Sequence, residues 1–137
     1  KKMSKSELSD LSRINLTDDK DQIITKIKKA KTDPLPMPKD IKELEGRPEA
    51  QNLIGIYNSL CNSTLETSIE KYSGKNFSEF KEELSELVVN KIMPISEQIK
   101  KLLKDQAYLD SILLDGVEKA DKIASKKIQK IKEIVGF

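Results

Sequence analysis

The 137-residue chain carries 25 Lys and Arg against 23 Asp and Glu, and a net charge of +2 permits a polyanionic partner without demanding one. Aromatic residues make up 4% and there is no Trp, so the core must be built from Ile, Leu, Val and Ala, and the length suffices for one modest core. The lack of His together with a single cysteine, Cys61, excludes a disulfide framework, the usual zinc ligand sets and Ser-His or Cys-His nucleophiles.

Cys61 is expected as a small buried residue on a helix, and a lone cysteine suits a reducing cytoplasmic setting. No apolar run reaches the ~20 residues that a membrane-spanning helix needs.

The chain opens on Lys1 and Lys2-Met3-Ser4-Lys5-Ser6, two lysines three residues apart with small hydroxyl residues between and after them. Such a loop can set two ammonium groups and several backbone N–H donors around one polyphosphate, because the serines let the backbone approach closely. A solvated basic tail would have the same composition. Arg13 to Leu16 alternates polar and apolar residues and reads as a short extended piece.

A helix is expected from Thr17 or Asp18, capped by these residues and carrying Asp18, Asp19 and Asp21 at its positive end. Its apolar face is Ile23, Ile24, Ile27 and Ala30. Lys26, Lys28, Lys29 and Lys31 lie near the negative end, and Pro34 forbids continuation. Pro34, Pro36 and Pro38 then alternate through a connector that should stay extended to about Glu45.

Pro48 suits the first turn of a further helix with Ala50, Leu53, Ile54, Ile56, Tyr57 and Leu60 on more than one face, which predicts a central position. Ser63-Thr64-Leu65-Glu66 reads as a capping box opening a short helix with Leu65, Ile69 and Tyr72, stopped by Gly74. The longest periodic run comes next: Phe77, Phe80, Leu84, Leu87, Val88, Ile92, Ile95, Ile99, Leu102 and Leu103. Ser78 can cap it, and Pro94 inside it predicts a kink. Asp105 should end this helix and cap a short one through Tyr108, Leu109, Ile112 and Leu113. A last helix from about Gly116 should turn Val117, Ala120, Ala124, Ile128, Ile131 and Val135 inward.

The fold class is therefore all-α from Thr17 onward, an antiparallel helical bundle. Glu79, Glu82, Glu83 and Glu86 sit at helical spacing beside lysines, which is the pattern of a solvated face rather than of an acid/base pair. Residues 118 to 133 hold Lys119, Lys122, Lys126, Lys127, Lys130 and Lys132 against Glu118, Asp121 and Glu133, while residues 66 to 86 hold six Glu and three Lys. That asymmetry can orient a polyanion toward the last helix, and Lys126, Lys127 and Lys130 are the candidate contacts. Solvation of the helix explains the same lysines. Tyr108 is a guess for a contact to a base.

The opening string is similar to the Lys-Met-Ser-Lys-Ser signature of class I aminoacyl-tRNA synthetases, and the residues after it resemble the bacterial-type tryptophanyl branch of that family. Arg13-Ile14-Asn15-Leu16-Thr17-Asp18-Asp19, Lys29-Ala30-Lys31-Thr32-Asp33, Gly46-Arg47-Pro48-Glu49-Ala50-Gln51-Asn52-Leu53 with Ile56-Tyr57, Glu86-Leu87-Val88-Val89 with Met93-Pro94-Ile95, and Ile134-Val135-Gly136-Phe137 carry the likeness over the whole chain.

The resemblance implies that Lys2 and Lys5 are catalytic and that Lys2, Met3, Ser4, Lys5 and Ser6 bind ATP. It also implies a helical domain that meets the anticodon of tRNA(Trp), ATP accompanied by Mg²⁺ and bound mainly by another domain, tryptophan as substrate, and a homodimeric complete enzyme. The second signature of the class, His-x-Gly-His, cannot lie in a chain without His. The expectation is thus the C-terminal part of a longer enzyme, inactive alone, with residues 1–16 at the edge of a Rossmann-type catalytic domain. Residues 17–33 would form a connecting helix, 34–46 a connector and 47–137 an anticodon-binding bundle. The rival readings are a free-standing helical interaction or RNA-binding module, and the related tyrosyl enzyme.

Overall fold

The computed structural model describes residues 9–136, and the loop Lys2 to Ser6 lies outside them. Among the described residues one 3₁₀ turn, Asp10–Ser12, precedes six helices: α1 Lys20–Lys29, α2 Ile41–Leu44, α3 Pro48–Cys61, α4 Leu65–Tyr72, α5 Phe77–Lys104 and α6 Gln106–Val135. The described residues contain no strand, so the protein is all-α. It divides into two compact units, Lys1–Glu97 and Gln98–Phe137.

In the first unit the predicted stripes meet in one core. Ile23 and Ile27 of α1, Leu44 of α2, Ala50, Leu53, Ile54 and Tyr57 of α3, Ile69 and Tyr72 of α4, and Phe77, Phe80, Leu84, Val88 and Val89 of α5 are all buried, together with Met37. Ile54 of α3 and Phe80 of α5 are fully enclosed, which gives α3 its expected central position. Phe80 packs against Tyr72 with ring centroids 4.8 Å apart and an interplanar angle of 80°, and against Tyr57 at 5.8 Å. Edge-on contacts of this kind bring the positive ring edge to a negative ring face, and they add to the area term. The Tyr72 hydroxyl donates to Glu83, which also receives Lys71 at 2.9 Å. Glu83 therefore serves a structural network, unlike the purely solvated acid predicted.

Several local expectations are corrected. Arg13 is extended (φ −146°, ψ 152°) as expected; the 3₁₀ turn Asp10–Ser12 precedes it, and a turn at Leu16 and Thr17 ends the short piece. Helix α1 starts later than Thr17 or Asp18: Asp19 is the N-cap, its carboxylate accepting from Gln22 N at 2.8 Å while the Gln22 side chain accepts from Asp19 N at 2.9 Å. The connector is not extended throughout, because Asp40 caps the single turn α2 by accepting from Glu43 N at 2.8 Å, and that turn buries Leu44. Thr64, not Ser63, caps α4 through Thr67 N at 3.3 Å. Ser63 instead donates to Asn58 Oδ1 at 3.2 Å, where the chain reverses through left-handed Asn62 (φ 54°). Helix α5 starts at Phe77, one residue before the predicted cap Ser78; as expected, Pro94 lies inside it without breaking it. Cys61 is exposed, being the last residue of α3 and outside the core.

The connector is tied down by its own backbone. Met37 N donates to Lys75 O at 2.9 Å and Gly74 N donates to Met37 O at 3.2 Å, so the Pro-rich stretch docks on the turn after α4. Gly74 adopts φ +70°, a conformation that a side chain would strain. Lys81 of α5 closes the other end, donating to Lys28 O at 3.2 Å and Ala30 O at 2.6 Å, two of the open carbonyls at the end of α1.

In the second unit the expected short helix and last helix are one continuous helix. Asp105 caps it through Tyr108 N at 3.1 Å as predicted, and Gly116 does not interrupt it. α6 buries no residue, so Val117, Ala120, Ala124, Ile128, Ile131 and Val135 are exposed rather than turned inward. This unit holds only the last turns of α5 besides α6, too short a partner to cover a stripe about 27 Å long.

Phe80→Ala should lower the unfolding free energy by about 3–5 kcal/mol, since it opens a cavity among rings that cannot collapse into it. Urea denaturation measures this, and a loss below about 1 kcal/mol would contradict the packing described.

Candidate functional site

The stretch from Asp10 to Asp18, before α1, is held by a cluster of charges. Lys26, on α1, is 7% exposed, and its Nζ lies 2.5 Å from Asp10 Oδ2 and 2.6 Å from Asp18 Oδ2. Asn15 bridges the two acids: its side-chain amide donates to Asp10 at 3.0 and 3.2 Å and to Asp18 Oδ1 at 3.3 Å, and its backbone N–H donates to Asp18 Oδ2 at 2.9 Å. Arg13 Nε lies 2.7 Å from Asp10 Oδ1. From α5, the buried Ser96 hydroxyl donates to Asp18 O at 3.3 Å, taking the inward place expected of Ile95, which is exposed.

The charges of this cluster reinforce one another. Hydrogen bonds from Lys26 and Asn15 lower the Asp10 carboxyl from 3.8 to about 2. Burial alone would raise the Asp18 carboxyl, but hydrogen bonds from Lys26 and Asn15 outweigh it and hold it below the usual value. Burial would likewise lower the Lys26 ammonium, and its bonds to Asp10 and Asp18 reverse that, raising it above 10.5. All three groups are therefore charged at neutral pH.

Sequence reasoning placed Lys26 among the cations suited to a helix end and missed the pairing. The available signal was its position three residues after Ile23 and four before Ala30, on the buried stripe itself.

Beside this cluster opens a cleft of about 910 Å³, lined by Leu11, Arg13 and Ile14, by Ile27 of α1, by Gln51 and Ile56 of α3, and by Leu84 and Val88 of α5. Its lining is mostly apolar, with Ser12, Arg13, Lys26, Gln51 and Asn52 as polar exceptions. Beyond the C-terminal end of α1, Arg47 grips Asp33 through two bonds, Nε to Oδ2 at 2.9 Å and Nη2 to Oδ1 at 2.8 Å, and Nη2 also donates to Pro36 O at 2.8 Å. The guanidinium sits 5.7 Å from the Phe77 ring centroid. Its hydrogen bonds hold the Asp33 carboxyl below the usual range. This two-pronged geometry fixes where the connector leaves α1 and where α3 begins.

Lys126, Lys127 and Lys130 are exposed on α6. Lys119, Lys122, Lys126 and Lys130 recur at steps of three and four, so they share one face, roughly opposite the stripe from Val117 to Val135. Lys127 flanks that face, and Tyr108 is 48% exposed near the start of the helix. Lys2, Met3, Ser4, Lys5 and Ser6 lie outside the described residues, so no distance relates them to this cluster or to α6. Among the described residues no group of three or more His, Cys, Asp or Glu could hold a metal ion, and no helix is long and apolar enough to cross a membrane.

The sequence profile of tRNA synthetases class I (W and Y) matches residues 1–94. The chain belongs to this family. It is 49% identical over all 137 residues to the tryptophan-tRNA ligase of Agrobacterium fabrum, covering 39% of that protein. It is 48% identical over 136 residues to the tryptophan-tRNA ligase of Caulobacter vibrioides, 99% of this chain and 40% of that one. With the tryptophan-tRNA ligase of Rickettsia felis it shares 48% over 137 residues, 41% of the relative. The chain thus spans about two fifths of the length of these synthetases. Asp18, Lys26, Asp33 and Arg47 all fall within the stretch matched by the class I profile.

The acid response of the cluster has a definite sign. A carboxyl whose pKa is depressed on folding contributes stability above its unfolded value, and that contribution fades as pH falls through the folded one. The melting temperature of the native chain should therefore exceed that of Asp10→Asn above pH 3.8, and the gap should close as pH falls toward about 2. Thermal melts followed by circular dichroism measure the gap; one that stays constant over this range would exclude the ion pairing of Asp10.

Proposed function

We propose that the complete protein activates tryptophan with ATP and transfers it to tRNA(Trp), and that this chain supplies the pyrophosphate-stabilising loop and the helices that meet the anticodon. The observation that carries this reading is the likeness along the full chain to proteins named tryptophan-tRNA ligase, beginning with Lys2-Met3-Ser4-Lys5-Ser6.

The chemistry accounts for the residues in the loop. The tryptophan carboxylate is already ionised at neutral pH and attacks the α-phosphate of ATP directly, so no general base is required. The reaction needs in-line placement and neutralisation of the charge that grows on departing pyrophosphate, which is work for ammonium groups and backbone N–H donors. Lys5 and Lys2 have that role here, Lys5 foremost, with Met3, Ser4 and Ser6 giving backbone and hydroxyl contacts. ATP is read as substrate, accompanied by Mg²⁺. A homodimer in the cytoplasm is the expected form of the complete enzyme.

In this reading residues 1–16 edge the catalytic domain, 17–33 connect, 34–46 form the hinge and 47–137 serve the anticodon. The exposed lysine face of α6 supports the RNA role through phosphate contacts, which position without specifying sequence. The exposed apolar stripe of the same helix favours a second reading, a helical interaction module that binds protein. A preference for tRNA with a tryptophan anticodon, with affinity falling steeply in salt, separates the first from the second.

In the complete enzyme Lys5→Ala should slow tryptophan activation by about 10²–10³-fold, with the tryptophan binding constant little changed. Pyrophosphate exchange at the native rate would sink the assignment of Lys5. Changing Lys126, Lys127 and Lys130 together to Gln should weaken tRNA binding and reduce the slope of log affinity against log salt by about 2–3, roughly one for each ammonium–phosphate pair removed. A native slope in filter-binding titrations would remove these lysines from the interface.

A further inference from the structure

We propose that Lys26 is a positioning residue for the ATP-signature loop: by holding Asp10 and Asp18 at once, it fixes the segment through which Lys2 and Lys5 join the fold. This rests on the reading of those two lysines as the pyrophosphate-stabilising pair.

The segment between Ser9 and Asp19 has no α-helix or strand to hold it, only one 3₁₀ turn. Its course must therefore be set by side chains. Lys26 grips it at two points eight residues apart, at 2.5 Å to Asp10 and 2.6 Å to Asp18, and Asn15 joins the same two carboxylates from within the segment. The grip is rigid because Lys26 stands on a helix whose neighbours Ile23 and Ile27 are 0% and 5% exposed. Ser96 of α5 holds the backbone of Asp18 as well.

Fixing Asp10 limits where the lysines can act. Lys5 lies five steps along the chain from Asp10, and fully extended chain covers about 3.3–3.6 Å per step, so the chain allows Lys5 no more than about 18 Å from that anchor. Removing the ammonium would leave two carboxylates facing each other across the space it filled. Attraction would become repulsion, and Asp10, half-exposed, is the one able to move outward. The anchor of the loop would shift while the apolar core of the unit remained.

The test compares Lys26→Met, Lys5→Ala and the double variant in the complete enzyme by pyrophosphate exchange. Lys26→Met should lower the exchange kcat by about ten- to hundredfold, as a misplacement near 1 Å does, with the KM for tryptophan unchanged. Once Lys5 is gone the same change should add less than about threefold, because the two act through one loop. Lys26→Arg, which keeps the cation, should recover most of the rate. Native exchange in a folded Lys26→Met enzyme overturns the proposal, and so does an equal loss in the presence and absence of Lys5. If Lys26→Met does not fold, Asp10→Asn carries the same comparison while leaving the Lys26 and Asp18 pair in place. Native exchange by Lys5→Ala would instead overturn the assignment of the loop, and with it the role of Lys26.

Discussion

A lysine ammonium buried between two carboxylates is the constraint on which the first half of this chain depends. A charge taken from water is tolerated only when its partners replace the lost hydration, and Lys26 receives both Asp10 and Asp18 within 2.6 Å. Such an arrangement is a weak source of net stability beside a well-packed apolar substitute. Its value lies in direction, since an apolar contact tolerates sliding and a shared ammonium does not. Consequently a stretch without regular structure has one course across α1 and α5. The Arg47 grip on Asp33 does the same for the connector, so the two irregular segments flanking α1 are both fixed by charge.

The core in between follows another rule. Its residues come from five helices, four of them too short to stand alone, and Tyr57, Tyr72 and Phe80 form the aromatic contact that joins α3, α4 and α5. Lys81 on the carbonyls at the end of α1, and the Met37 bonds to Gly74 and Lys75, then close the open backbone groups at the edges of that core. Apolar packing thus supplies cohesion, while hydrogen bonds and ion pairs choose among ways of packing.

That division explains what could be read from the amino-acid order. The stripes Ile23 and Ile27, Leu53, Ile54 and Tyr57, and Phe77, Phe80, Leu84 and Val88 were legible because helical periodicity is a local property. So was the cap at Asp105. The pairing of Lys26 with Asp10 was hidden because it spans sixteen residues and an irregular segment, where no periodic rule applies. Ser96 taking the inward place of Ile95 was hidden too, since one step along a helix past Pro94 moves a side chain about 100° around the axis. The opening string Lys2 to Ser6 was legible only as a string of residue types, and it lies outside the described residues.

The inward stripe predicted for α6 failed for a different reason. Periodicity reports which residues share a face, and burial of that face needs an element to lie against it. Val117, Ile128 and Ile131 have the spacing of a core and remain 62%, 53% and 57% exposed. The lysines on the other face ask for no such partner, because an ammonium in water keeps its hydration and its charge needs no packed neighbour. Around Lys26 the ammonium and the Asp18 carboxylate are enclosed and directional, which suits them to fixing a backbone. On α6 the lysines stay solvated along one exposed face. The two units of the chain thus place the same residue type in opposite surroundings: one lysine is enclosed and holds a backbone in place, and those of α6 stay exposed to water.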